Sequence, residues 1–358
     1  MARNTVLSGA VRIGEFTVSF QRTLRIPDDD KTYPLPPGLG RFPVLNVEEH
    51  AEKLPKKVVA QGGVLIPMYQ REALWLGFET PPWRPRAVQV AVGGFNAVSG
   101  AAWDEELHDA PQNYVVCPDQ PWLDGINAGN GIIRQFVAMP LGLGYTVEAA
   151  LSGAESTGGI QIAVYEPKPG RFPDRPPQDN RCHGPPSGPM ADAVTVQEMG
   201  VGAGGRMKQK IYPDPHGLDV WDQGSVQRLF VHLINSLQYQ EIACQEPPTT
   251  PVDAALYTRH GLPWFDLYDE DRGAVAAPTR LTTVRTIADR DAQRGIGKTN
   301  TAGVEPPPSQ VHKLRGDRSD EFAADAGKKR EDVHSEVNDA LDRRKQGNAA
   351  SSKKEESQ

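Results

Sequence analysis

Asp124 and Asp222 each stand beside a tryptophan, Asp124 two residues after Trp122 in QPWLDG (120–125) and Asp222 directly after Trp221 in DVWDQG (219–224). Two carboxylates that meet across a cleft, at roughly 5 to 9.5 Å, can serve as general acid and base on a glycan or another polar small molecule. They are therefore the candidate catalytic residues of a hydrolase or lyase. Trp122, Asp124, Arg134, His216 and Trp221 are the candidate binding residues, since aromatic faces with a few placed polar groups hold polar ligands. The stretch 214–224 is the densest cluster, gathering Asp214, His216, Asp219 and Asp222 around Trp221. Aspartates this close together also make ordinary turn caps, which is the plainer reading. Spacing alone does not show that Asp124 and Asp222 converge.

Other motifs lack the context their chemistry needs. Gly200, Gly202 and Gly205 satisfy a GxGxxG spacing. A dinucleotide site requires a helix N-terminus directly behind those glycines, and Pro213 and Pro215 follow too soon. RGIGKT (294–299) has Ala292 where a phosphate loop needs its leading glycine. Cys182-His183 supplies at most half a zinc ligand set, so no metal is expected, and no cofactor. Asp28, Asp29 and Asp30 read as a solvated turn, WDEELHD (103–109) as polar surface anchored by Trp103, and His232 as a satisfied core histidine.

The elements that must position these residues are mostly strands. Residues 16–26 alternate apolar and polar side chains, the mark of a strand with one buried face. Arg22 interrupts that face, through a bend or a stem that leads its charge to water in preference to a buried acidic partner. Residues 88–92 alternate as well, and 132–139 are apolar on both parities, as in a strand covered on both sides. Arg134 lies in that strand with Asp124 as its nearest acidic candidate. Residues 145–151 and 160–164 complete the set as alternating strands. Strand and helix patterns overlap at 226–239, resolved as a strand to Ile234 and a helical turn after Asn235. Thr250-Pro251 opens a short helix that Gly261 closes. GIIRQFV (131–137) and GRMKQKI (205–211) echo one another, which would suit two related halves.

This pattern predicts a mainly β fold, an antiparallel sandwich or barrel with one or two short helices, and the echo suggests that it is pseudo-duplicated. A β-rich half spans residues 1–166, a proline-rich linker or long loop 167–192, a second β-rich half with a short helix 193–285, and a disordered C-terminal tail 286–358. The 35 glycines and 32 prolines favour short strands and many turns. A net charge of -7 provides no basic field for a phosphate backbone, so nucleic acid is not an expected partner. Three widely spaced cysteines, Cys117, Cys182 and Cys244, suggest a reducing, cytoplasmic setting. No apolar run reaches the roughly 18 residues that span a bilayer, so a soluble protein without membrane association is expected.

QPWLDG (120–125), IRQFVAMPLG (133–142) and GLPWFD (261–266) together resemble a microbial family of β-rich proteins, a likeness that covers most of the expected ordered chain and implies no activity for any residue. The expected function is a binding or assembly module, a rigid β scaffold whose loops carry Trp, Asp and Arg. Its partner would be a protein or a small polar ligand, with a homo-oligomer possible. The two-carboxylate enzyme is the alternative.

Overall fold

The computed structural model of the chain describes residues 4–29, 31–173, 198–251, 254–259, 264–267, 272–276, 278–297 and 306–314. Most of its strands join one sheet, whose central run consists of nine strands paired antiparallel throughout. In chain order these are β1 (Ala10–Ile13), β2 (Phe16–Thr23), β3 (Ala73–Glu79), β4 (Arg86–Val92), β5 (Val115–Cys117), β6 (Ile132–Pro140), β7 (Ile160–Tyr165), β8 (Glu198–Lys208) and β9 (Gln227–Asn235). In space the order is β1-β2-β3-β6-β8-β9-β7-β4-β5. The sheet curls until its ends approach: Glu15, in the turn before β2, bonds Arg86 of β4 at 2.8 Å. The chain also passes from β5 through residues 118–121 directly to Trp122–Leu123, which pairs with β3. The fold is thus mainly β and antiparallel with few short helices.

The second-half strands β8 and β9 lie between β6 and β7 of the first half. The proline-rich stretch therefore does not separate two sheets. The echoing segments turn out to be partners: Ile133 pairs with Met207, its own counterpart in the echo, so β6 and β8 run past each other about a local two-fold. The two echoed glutamines do equivalent work. Gln135 bonds Ile26 N at 3.1 Å and Leu24 O at 2.8 Å, while Gln209 bonds Asp124 N at 3.0 Å and its carboxylate at 2.7 Å. A primary amide offers a donor and an acceptor side by side, so it completes backbone pairing where the strand ladder stops. The glycines of the 200–205 stretch lie within β8. A Cβ at Gly205 would sit 2.1 Å from Pro27 O, so these residues permit close crossing of chains and not phosphate binding.

Several expectations need correction. β2 is buried on both faces, and Arg22 finds an acidic partner after all, donating from Nε to Glu72 at 2.7 Å. A charge inside a two-sided sheet has no route to water, which is why a carboxylate must meet it. Asp28 is no solvated turn residue: it is buried, takes a 2.5 Å bond from Arg25 and accepts from Ala288 N at 3.2 Å. Residues 145–151 are not a strand but end in a helix, α1 (Val147–Ser152), capped by Thr146, whose hydroxyl accepts from Ala149 N at 3.1 Å. The tail drawn from residue 286 begins too early. Residues Ile287–Gln293 form a helix, α2, with a capping box between Thr286 and Asp289. Asp291 of that helix is fully buried, held by Arg71 through two 2.7 Å bonds and by Tyr145 at 2.7 Å. Residues 315–358, with Cys182 and His183, lie outside the described residues. The strand-to-helix change at Asn235 falls where the pattern placed it, and His232 is buried with Nε2 3.0 Å from Gly62 O.

Candidate functional site

Four loops at one end of the sheet enclose a cavity of about 430 Å³. Its walls are Pro82, Trp83 and Pro85 from the β3–β4 connection, Pro118 and Asp119 after β5, Phe172 beyond β7, and His216 beyond β8. Prolines fix the backbone of these loops, and their rings give the floor an apolar surface.

Arg86, 1% exposed, ties two of the loops together. Its guanidinium takes the Glu166 carboxylate from Nε and Nη2, at 3.0 and 3.1 Å. Its Nη1 reaches the Thr80 hydroxyl at 2.5 Å and Arg84 O at 3.0 Å. Thr80 and Arg84 flank Trp83, and Glu166 opens the segment leading to Phe172. One planar fork with five fixed donors therefore sets the separation of two walls. Asp214 does the same for the third. Its carboxylate accepts from Tyr114 Oη at 2.7 Å, from Trp221 Nε1 at 2.8 Å and from His216 N at 2.8 Å. Trp221 is fully buried beneath His216, whose ring stands edge-on to it at 5.9 Å and edge-on to Phe172 at 5.1 Å.

Three polar groups face this cleft. Among the described residues the Trp83 indole N–H and the His216 ring nitrogens make no hydrogen bond, and the Asp119 carboxylate is paired with Arg272 at 3.8 Å. An apolar pocket with a few convergent polar groups is the usual form of a ligand site. The neighbouring nucleophile types are not available for chemistry. Burial, with Asp119 nearby, pushes the Cys117 thiol well above its ordinary range. Burial and the Asp214 carboxylate likewise raise the Tyr114 hydroxyl.

The residues expected to form a site are placed as follows. Trp122 is 6% exposed and Asp124 0%, with Gln209 donating to Asp124 Oδ2 at 2.7 Å. Both side chains are buried, Trp122 in the strand piece Trp122–Leu123 and Asp124 between it and Gly125–Gly129, and not in an open loop. Arg134 stands in β6 opposite Ile126, away from the cleft lining. Asp222 caps a single 3-10 turn by accepting from Gly224 N at 2.9 Å, as a turn aspartate does. Trp221 supports the site from behind, and His216 alone lines it. The structure therefore gives no basis for a carboxylate pair at Asp124 and Asp222. Trp83, Asp119 and Phe172 were missed; the PPWRP run (81–85) was the available signal, a tryptophan held between prolines.

A larger cavity of about 840 Å³ lies between Lys31, Tyr33, Lys208, Asp266 and Pro307. Its charges offset each other, with Lys208 3.6 Å from Asp266, and its rim adjoins stretches outside the described residues. Among the described residues no three His, Cys, Asp or Glu side chains come together to hold a metal ion, and no helix is long and apolar enough to cross a membrane. Comparison of the chain with protein families, with curated proteins and with solved structures finds no match.

Proposed function

We propose that the protein is a binding module whose ligand enters the cleft of Trp83, Asp119, Phe172 and His216. The observation that carries this reading is the convergence of the Trp83 N–H, the His216 ring and the Asp119 carboxylate among proline and phenylalanine rings, in loops that the Arg86 and Asp214 networks hold in place before any ligand arrives. Preorganised walls lower the ordering cost of association. The buried position of Asp124 counts against the two-carboxylate enzyme. A reducing, cytoplasmic setting fits the cysteines, since Cys117 and Cys244 are both free thiols.

A thermal-shift screen of small polar compounds and short peptides tests the reading. Ligands at about a hundred times their Kd stabilise a folded protein by about 2.7 kcal/mol. Compounds are expected to raise the midpoint of the wild type and to leave Trp83→Ala and His216→Ala unmoved. Equal shifts in all three proteins would place the ligand elsewhere and sink the proposal.

A further inference from the structure

We infer that the cleft takes a neutral, polyhydroxylated ring, a saccharide; this rests on the binding-module reading above. Charge is the first ground. The described lining contains one carboxylate, one imidazole and no lysine or arginine. An anionic ligand such as a phosphate ester would sit beside Asp119 with no cation in the lining to receive it, in a chain whose net charge is -7. Arg272, outside the lining, is paired with Asp119 at 3.8 Å and stacks on Tyr212 at 5.3 Å.

The hydrogen-bonding inventory is the second ground. Trp83 offers only a donor, Asp119 accepts, and the His216 ring presents two further nitrogens for hydrogen bonding. A hydroxyl donates and accepts at once, so adjacent ring hydroxyls can satisfy all three groups. A purely apolar ring would strip water from them without replacement, which is unfavourable. A quaternary ammonium could lie against aromatic faces and a carboxylate but would give the Trp83 N–H nothing to bond. The walls are the third ground. Pro82, Pro85, Pro118 and Phe172, with the half-buried Trp83 ring, present C–H and π surface. The C–H face of a pyranose is complementary to the negative face of an aromatic ring. A saccharide uses the ring surfaces and all three polar groups together.

Titration calorimetry on the full chain tests the inference. The panel comprises neutral mono- and disaccharides, their phosphorylated counterparts, tetramethylammonium and a proline-rich peptide. At least one neutral disaccharide is expected to bind, with its phosphorylated form much weaker. Trp83→Ala should weaken that binding about tenfold or more, and Asp119→Asn by a similar factor, as loss of a hydrogen bond to a charged group does. Circular dichroism establishes that each variant is folded, and Asp119→Asn serves if Trp83→Ala is not. Trp83-dependent binding of tetramethylammonium or the peptide, with no neutral sugar bound, overturns the saccharide and keeps the cleft. Sugar binding that neither substitution alters overturns the assignment of sugar to this cleft. A panel with no Trp83-dependent binder overturns both readings.

Discussion

Arg86 shows why a site can depend on a residue that no ligand touches. Its charge is buried, and two carboxylates together with a hydroxyl and a carbonyl compensate it; Glu166, Thr80 and Arg84 sit on segments that frame the cleft, and Glu15 on the turn before β2. Without Arg86 the Thr80 hydroxyl and the Arg84 carbonyl lose their donor, while Glu166 keeps Arg84 at 3.2 Å and Glu15 is largely exposed. Arg86→Met should therefore cost about 1–3 kcal/mol of stability in urea unfolding. Arg86→Lys should recover only part of this, because an ammonium cannot reproduce the fork. If Arg86→Met unfolds at the wild-type urea concentration, the network does not organise these loops. Asp124 gives the opposite case, a residue with the chemistry of a site and the surroundings of a core. Asp124→Ala leaves the Gln209 Nε2 donor unsatisfied while the backbone bonds of residue 124 remain, and should cost about 1–3 kcal/mol. Ligand binding by the folded variant should be unchanged, and a specific loss of binding would return Asp124 to the site. Residue type made Asp124 visible in the sequence. Burial, which decides its role, depends on Gln209 lying 85 positions away and could not be read from local pattern.

Elements differ in how plainly their sequence announces them. The strand-to-helix change at Asn235 was legible because a run of apolar residues ends at a side chain that caps, and Asn235 Oδ1 accepts from Leu237 N at 2.9 Å. The helix Val147–Ser152 was misread because Tyr145, Val147, Ala149 and Leu151 alternate as a strand would, over a stretch too short for a helical period to show. Two side chains override that alternation. Thr146 caps the helix, and Glu148 accepts from the backbone N–H groups of Ser156, Thr157 and Gly158 at 2.8, 2.8 and 2.9 Å, folding the next loop over the first helical turn. Thr146→Ala should cost about 1 kcal/mol, read as a lowered unfolding midpoint, with Thr146→Ser close to wild type. An unaltered midpoint in the alanine variant would mean that the loop contacts alone hold the helix. The helix Ile287–Gln293 was missed for a related reason. Its polar composition resembles a tail, and the buried Ile287 and Ala288, with Asp291 locked to Arg71 and Tyr145, show that it belongs to the body.

At the scale of the whole molecule, the sheet interleaves strands from both sides of the proline-rich stretch, so neither half has a complete set of partners alone. Stability should therefore respond as one unit to groups buried anywhere in it, and pH offers a test. Burial lowers the affinity of His50 and His232 for protons in the folded chain, His232 lying against Phe230 and Gly62. A histidine with a depressed folded pKa contributes stability that is complete above its unfolded value, about 6.5, and is lost as pH falls through the folded value. Burial raises Asp28 and Glu72 despite the attraction of Arg25 and Arg22. Their contribution has the opposite sign: it is complete below the unfolded carboxylate value, about 4, and is lost as pH rises through the folded value. From pH 7.5 down through the region just below 6.5 the histidines should set the slope. Each unprotonated histidine can supply up to about 1.4 kcal/mol of lost stability per pH unit. Replacing both, as His50→Gln with His232→Gln, should flatten that part of the stability profile in urea titrations at stepped pH. The variant's remaining slope should then show stability rising toward lower pH as Asp28 and Glu72 take up protons. A double variant that still loses stability with the wild-type slope between pH 7 and 6 would show that other groups control the acid response.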